Sequence, residues 1–439
     1  MVEEPLTWAD MPVRYFCKYL GFQVGPGKGD SSWHAPFKKY LERINMWKDQ
    51  PLGLFWDARV YNTFALPALT YVAQLETPPS WVLDGVIQSL ESAAKGPRVW
   101  ASAIDLWTLK EAFGLHASFK NLEWTAGAAK VRVVGFDKAC LPSSVFRKDV
   151  CNLESLIRCP GDNCTIHGWR GWYDKAFSRV LALTHDAIKD QAGGIEAIRL
   201  HRSVTSIELK NDKLWRKQCQ GAVYSFLVAS KLPDPCQRVR YKINRWRLPA
   251  LDVPVRRNTP ARNAIRVQWL LNSLGQLVPS RVQSAVFGAI WNRWTTARRF
   301  QRAGACFLCG GEDTWDSIEH YSDCKVVKQV YNRKPRLDTD KFANVHSFVL
   351  SNPYIDCKET LIAVALLVYG VYDVTNKQRI LGSPLGEASY EFVCQAMRTG
   401  ARGHQRATHT LDSRWCNNPA HTPLAAEPLV PLSWRHSLA

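Results

Sequence analysis

The chain has 439 residues, 46% hydrophobic and 22% charged, which excludes a disordered polyelectrolyte and leaves room for roughly two to four packed domains. A formal net charge of +18 points to a polyanionic partner, nucleic acid or an anionic membrane. The longest strongly apolar stretch, Leu361 to Tyr372, falls short of the about 20 residues that cross a bilayer, so no membrane role is expected.

The opening MVEEPLTWAD is acidic and lacks an apolar core, so it is no secretory signal. The 13 cysteines are odd in number and scattered, which fits reduced thiols in a nuclear or cytosolic protein rather than a secreted disulfide scaffold. Residues 13–25, VRYFCKYLGFQVG, are dense in Val, Tyr and Phe and are followed by the turn residues GPGKGD, predicting a strand or hairpin edge. A helix is expected to start after Ser31 or Ser32 as cap, with Pro36 in its first turn. Trp33, Phe37, Tyr40, Leu41, Ile44 and Trp47 recur at helical spacing, while Lys38, Lys39, Arg43 and Lys48 lie largely off that stripe. A second helix is expected over about 55–75, kinked or ended by Pro67.

Residues 80–230 read as mixed and mostly helical, with no repeat and no catalytic signature. Cys151, Cys159, Cys164 and His167 lie close together, but their spacing fits small buried thiols and a surface His better than a second metal site. From Lys231 to Arg302 there are fifteen Lys and Arg against only Asp234 and Asp252, a balance of +13. Most of these cations are Arg, which forks onto phosphates and stacks on bases. The candidate nucleic-acid contacts here are Arg245, Arg247, Arg256, Arg257, Arg293, Arg298, Arg299 and Arg302, with Lys38, Lys39 and Arg43 from the first helix. Two helices are expected in the segment, the second from about Ser280 with the stripe Val282, Val286, Ile290, Trp294 and an end at Arg298, Arg299 and Arg302. Trp246, Trp291, Trp294 and Phe300, interleaved with the arginines, are expected mainly in the core, with one or two free to stack on bases.

The sharpest motif follows in CFLCGGEDTWDSIEHYSDC. Cys306 and Cys309 are three apart, as two thiolates on one tight turn must be, and His320 and Cys324 are four apart, on one helical face. Gly310 and Gly311 permit the reversal between them, and Asp316 with Glu319 is expected to cap the helix. Three thiolates and one imidazole fill a tetrahedron, so the expectation is one structural zinc ion with no open catalytic position.

Two stretches resemble one family. YFCKYLGFQVGPG with LERINMW and YNTFALPALTYVAQL looks like the end of the palm and the thumb of reverse transcriptases from non-LTR retrotransposons. RRFQRAGACFLCGGEDTWDSIEHYSDC, with the LIAVALLVYGVYDVTNKQR that follows it, resembles the zinc segment near the C-terminus of the same proteins. The two occur in the family's order, and the resemblance spans residues 13 to about 380. It implies a mainly α fold: a remnant palm-edge β element at 1–30, thumb-like helices at 31–80, a connector at 81–230, an Arg-rich helical segment at 231–305, a zinc segment at 306–324, C-terminal helices at 325–399 and a loose tail at 400–439. The chain lacks the Tyr/Phe-Ala-Asp-Asp turn whose carboxylates hold two metal ions in that family, and Asp338, Asp340, Asp356 and Glu359 show no nuclease spacing. The expected function is therefore binding of RNA or DNA without catalysis. The alternatives are part of a polymerase whose catalytic core is supplied in trans or from a missing upstream segment, and a decayed reading frame.

Overall fold

Leu20 and Gly21, both with positive φ (46° and 90°), turn the chain back on itself between two short strands. In a computed structural model of the protein these strands, β1 (Cys17–Tyr19) and β2 (Phe22–Val24), pair antiparallel with Tyr19 opposite Phe22. The structure describes residues 15–50, 53–134, 220–246, 260–311, 314–333, 337–382 and 389–415, apart from 222–223, 226 and 230. Among them 67% are helical, so the class is mainly α with a small N-terminal β element. The chain divides into two units, residues 1–49, 61–89 and 120–231 in the first, and 50–60, 90–119 and 232–439 in the second.

In the first unit α1 (Ser31–Trp47) buries Trp33, Tyr40 and Ile44 and leaves Lys38, Lys39 and Lys48 exposed, as the periodicity requires. Its start differs from expectation. Asp30 is the N-cap residue, without a side-chain cap bond, and Ser31 and Ser32 lie inside the helix. The reason is tertiary: the Ser32 hydroxyl accepts from the Gln23 amide at 3.0 Å and donates to Glu76 at 2.9 Å, so it ties β2 to the helices and cannot serve as a cap. Pro36 is accommodated in the second turn. The expected 55–75 helix is broken in three: α2 (Leu54–Val60), which belongs to the second unit, a π-turn over Tyr61–Ala65, and α3 (Pro67–Ala73). The π-turn widens the spiral just before Pro67, whose ring and missing N–H would otherwise disrupt it. Leu69, Val72 and Ala73 of α3 pack against α1, and the Tyr71 phenol donates to the Leu20 carbonyl at 2.6 Å.

Four helices follow among the described residues: α4 (Ser80–Ala94), the single-turn pair α5 (Ala103–Trp107) and α6 (Leu109–Phe113), and then α7 (Leu122–Val134). The Cys151, Cys159, Cys164 and His167 grouping lies outside the described residues, as do Arg247, Arg256 and Arg257.

The second unit holds the basic segment. Its described residues form three helices where two were expected: α8 (Pro235–Ile243), α9 (Pro260–Leu277) and α10 (Ser280–Ile290). From Val282 to Ile290 every residue of α10 is buried, so it is a core helix. Phe287 stacks on Trp291 at 4.0 Å, Phe113 meets Trp291 at 4.7 Å and Trp100 meets Phe287 at 6.2 Å. Burying each such ring contributes about 1.5–3 kcal/mol. Helix α10 ends at Ile290 instead of running on to the arginines. Asn292 adopts a left-handed conformation (φ 53°), its N–H bonds Ala289 O at 3.0 Å, and the Arg293 N–H bonds Gly288 O at 2.7 Å. These two bonds cap the last carbonyls and turn the chain.

The remaining helices are α11 (Ile318–Asp323), α12 (Lys325–Arg333), the single turns α13 (Thr339–Phe342) and α14 (Val345–Phe348), α15 (Lys358–Leu381), α16 (Ser389–Ala401) and α17 (Gln405–Trp415). Gly370 lets α15 and α16 approach closely, since a Cβ there would stand 2.8 Å from Met397 Cγ and 3.0 Å from Val393 O. No described helix is long and apolar enough to cross a membrane. Residues 405–415 are helical although the sequence suggested a loose tail from about 400, because Ala407, Thr410 and Leu411 find a buried face.

Candidate metal centre and its basic surround

Cys306 and Cys309 sit on a tight turn whose exit is Gly310, at φ 63° and donating to Cys306 O at 2.9 Å. The N–H groups of Leu308 and Cys309 point at the Cys306 sulfur, at 3.4 and 3.5 Å. On the other side Ser317 caps α11 by accepting from the His320 amide at 3.1 Å. His320 is thereby fixed in the first turn and Cys324 at the C-terminal end. The cap is Ser317, not the Asp316–Glu319 pair, because both acids are engaged elsewhere.

The four side chains converge. Cys306 Sγ is 3.9 Å from Cys324 Sγ, Cys309 Sγ is 3.4 Å from His320 Nε2, and all four ligand atoms lie within 4.8 Å of one another. Ligands bound at about 2.0–2.3 Å in a tetrahedron stand about 3.5–3.8 Å apart, so the group could hold one metal ion. It is the one such grouping of His, Cys, Asp or Glu among the described residues, and it excludes Asp338, Asp340, Asp356 and Glu359. Cys306 and Cys324 are fully buried, and Cys309 and His320 half-buried. The hydrogen bond from Cys306, followed by that from His320, holds the Cys324 thiol well below its ordinary range, and the same shared bond with Cys324 pushes Cys306 up. The bond to Cys324 raises His320 against the opposing effect of burial. This polarisation favours the thiolate at Cys324 and the thiol at Cys306.

Asp316 is the support that the sequence did not reveal. It is 1% exposed. Its carboxylate accepts from the Tyr321 phenol at 2.6 Å, the Ala297 amide at 2.8 Å and the Arg379 guanidinium at 2.8 and 3.3 Å. Its main chain pairs with Gly304 and Arg298. Through side chain and main chain together, Asp316 thus joins the segment leading to Cys306, helix α11 and helix α15. A shallow cavity of about 480 Å³ opens beside it, lined in part by Arg302, Phe307 and Arg379.

The arginines divide into two kinds. Several close off backbone carbonyls. Arg293 donates to Ala94 O and Lys95 O at 2.8 Å each, and its guanidinium lies 5.0 Å from the centre of the Trp100 ring. Arg281 donates to Thr399 O and Arg402 O at 2.7 Å. Arg266 donates to Asn352 O and Ile355 O at 2.7 Å, and burial lowers it to about 10. Backbone carbonyls, and for Arg293 also the buried Asp57 carboxylate at 3.6 Å, partner these charges without an external anion. The second kind faces solvent near the metal group. Arg302 is exposed and lies over Phe300, which is 45% exposed, and Arg298 pairs with Glu319 at 2.5 Å with half its side chain exposed. Arg299 is half-buried and Arg245 exposed. Arg298 and Arg299 lie on a 3-10 turn beyond the end of α10, close in sequence to Cys306. In the first unit, Lys38 and Lys39 are exposed, and Arg43 donates to Phe64 O. Of the interleaved aromatics, Trp246, Trp291 and Trp294 are buried, which leaves Phe300 as the accessible ring.

Comparison with known protein families, curated proteins and solved structures finds no match to this chain.

Proposed function

We propose that the chain is a nucleic-acid-binding protein in which Cys306, Cys309, His320 and Cys324 hold a structural zinc ion. The zinc-fixed turn presents Arg298, Arg299 and Arg302, with Phe300, to an RNA or DNA strand. The observation that carries the reading is the convergence of three sulfurs and one imidazole nitrogen within 4.8 Å, adjoining arginines that are not buried on carbonyls. A soft Cys3His set with no oxygen ligand selects zinc over magnesium or calcium. Three thiolates and the His320 imidazole fill the tetrahedron and leave no site for a metal-bound water, so the ion braces and does not catalyse. The resemblance to the C-terminal part of non-LTR reverse transcriptases supports the same polyanionic partner, with a polymerase core in trans as a second candidate partner.

The test is binding of purified protein to a labelled RNA–DNA duplex across a salt series, with metal content measured on the same sample. About one zinc per chain and a steep loss of affinity with salt are expected. Arg298→Ala with Arg302→Ala should shrink the slope of log K against log salt by about 2. A metal-free protein that binds no better than a neutral control would overturn the reading.

A further inference from the structure

Asn292 terminates α10 in a left-handed conformation, and its side chain is where two arginines meet. With its amide turned to satisfy its neighbours, Asn292 Oδ1 accepts from Arg245 Nη1 at 2.8 Å and from Arg299 Nη1 at 3.0 Å. Arg299 Nη2 also reaches the main-chain carbonyl of Arg98 at 3.4 Å, which helps to fix its guanidinium. Lys242 lies behind, with Nζ on Trp100 O at 2.9 Å. The acids nearby are already engaged. Asp105 is buried and held by Arg238 at 2.8 and 2.6 Å, and Glu319 is held by Arg298. Among the described residues no carboxylate stands within ion-pair distance of Arg245 or Arg299. Two guanidinium groups that share one neutral oxygen repel each other. Each has five N–H donors and gives only one to Asn292, so most of both forks stays available. Such a pair suits the two free oxygens of a phosphodiester, which match the planar guanidinium fork.

We propose that Arg245 and Arg299, set by Asn292, form a clasp for a backbone phosphodiester of the bound strand. The proposal rests on the nucleic-acid reading above, and it locates the grip at the end of α10. The clasp acts on the backbone, so it does not read bases.

The test is Asn292→Asp. Asp tolerates the left-handed conformation as Asn does and has the same size. It places a carboxylate between the two guanidinium groups, satisfying them internally and removing their pull on phosphate. In fluorescence anisotropy with a labelled 20-nucleotide RNA and the DNA of the same sequence, Asn292→Asp should weaken both by about tenfold or more. Its salt slope should fall by about 1–2, one counterion per lost phosphate contact. Its melting temperature should equal or exceed that of the unaltered protein. If the unaltered protein binds both strands and Asn292→Asp binds them with the same affinity and slope, the clasp is refuted and the nucleic-acid reading stands. Loss on RNA alone would also refute it, since that would indicate contact with the 2′-hydroxyl. If the unaltered protein binds neither strand, the parent reading falls and the clasp with it.

Discussion

Replacing Asp316 with Ala removes the carboxylate that ties the metal turn to α15. The side chain is 2% exposed and accepts four hydrogen bonds, two of them from Arg379, whose own side chain is 20% exposed. Truncation leaves a mostly buried guanidinium and the buried Tyr321 phenol without their acceptor. Breaking a buried ion pair from one side costs about 3–5 kcal/mol. For a unit of this size each kcal/mol lowers the melting temperature by about 2–4 °C, so a fall of about 6–20 °C is expected. Asp316→Asn keeps the shape and one acceptor and should cost less, about 1–3 kcal/mol. Adding Arg379→Met to Asp316→Ala should recover part of the loss, because the stranded charge goes with it. Differential scanning calorimetry on the four proteins, at equal zinc loading, measures all of these quantities. An Asp316→Ala protein that melts within about 2 °C of the unaltered one would refute the role given to this residue.

Cys309→Ser should lower zinc content from about one ion per chain to a small fraction, read by elemental analysis, since neutral Ser is no substitute for a thiolate. Arg293→Met should destabilise by about 2–4 kcal/mol in urea unfolding, through the freed carbonyls of Ala94 and Lys95, yet leave the salt slope of nucleic-acid binding unchanged. Lys242 is 6% exposed, and burial lowers it to about 8 from its ordinary 10.5. Between those two values the unfolded chain binds more protons, so stability rises with pH over that window and falls again as pH drops to about 8. The gain is about 3 kcal/mol, and Lys242→Met should abolish the rise in urea midpoints measured from pH 7.5 to 11.

What could be read in advance was local. The stripe on α1 and the grouping of Cys306, Cys309, His320 and Cys324, which could hold a metal ion, follow from spacing within one turn or one helix, and the structure shows both. The hairpin was legible only as a hairpin edge, because its turn depends on Leu20 adopting a conformation that Leu rarely takes. What escaped was long-range. Arg293 finds its carbonyl partners 198 and 199 residues earlier in the chain, and Asp316 finds Arg379 63 residues later. A run of arginines reads as one positive surface until the fold divides it between buried carbonyls and solvent. The helix stop at Asn292 did carry a signal, since Asn is second only to Gly in that conformation. The buried stripe ran on to Trp294 and concealed it: Trp294 is 2% exposed, but it is reached by the chain after the turn.

X-ray absorption at the zinc edge on protein purified without added metal tests the centre most directly. About one zinc per chain, with three sulfurs at about 2.3 Å and one nitrogen at about 2.0 Å, is the expected result. The absence of zinc, or a shell of oxygen and nitrogen alone, would contradict the assignment of Cys306, Cys309, His320 and Cys324 as its ligands.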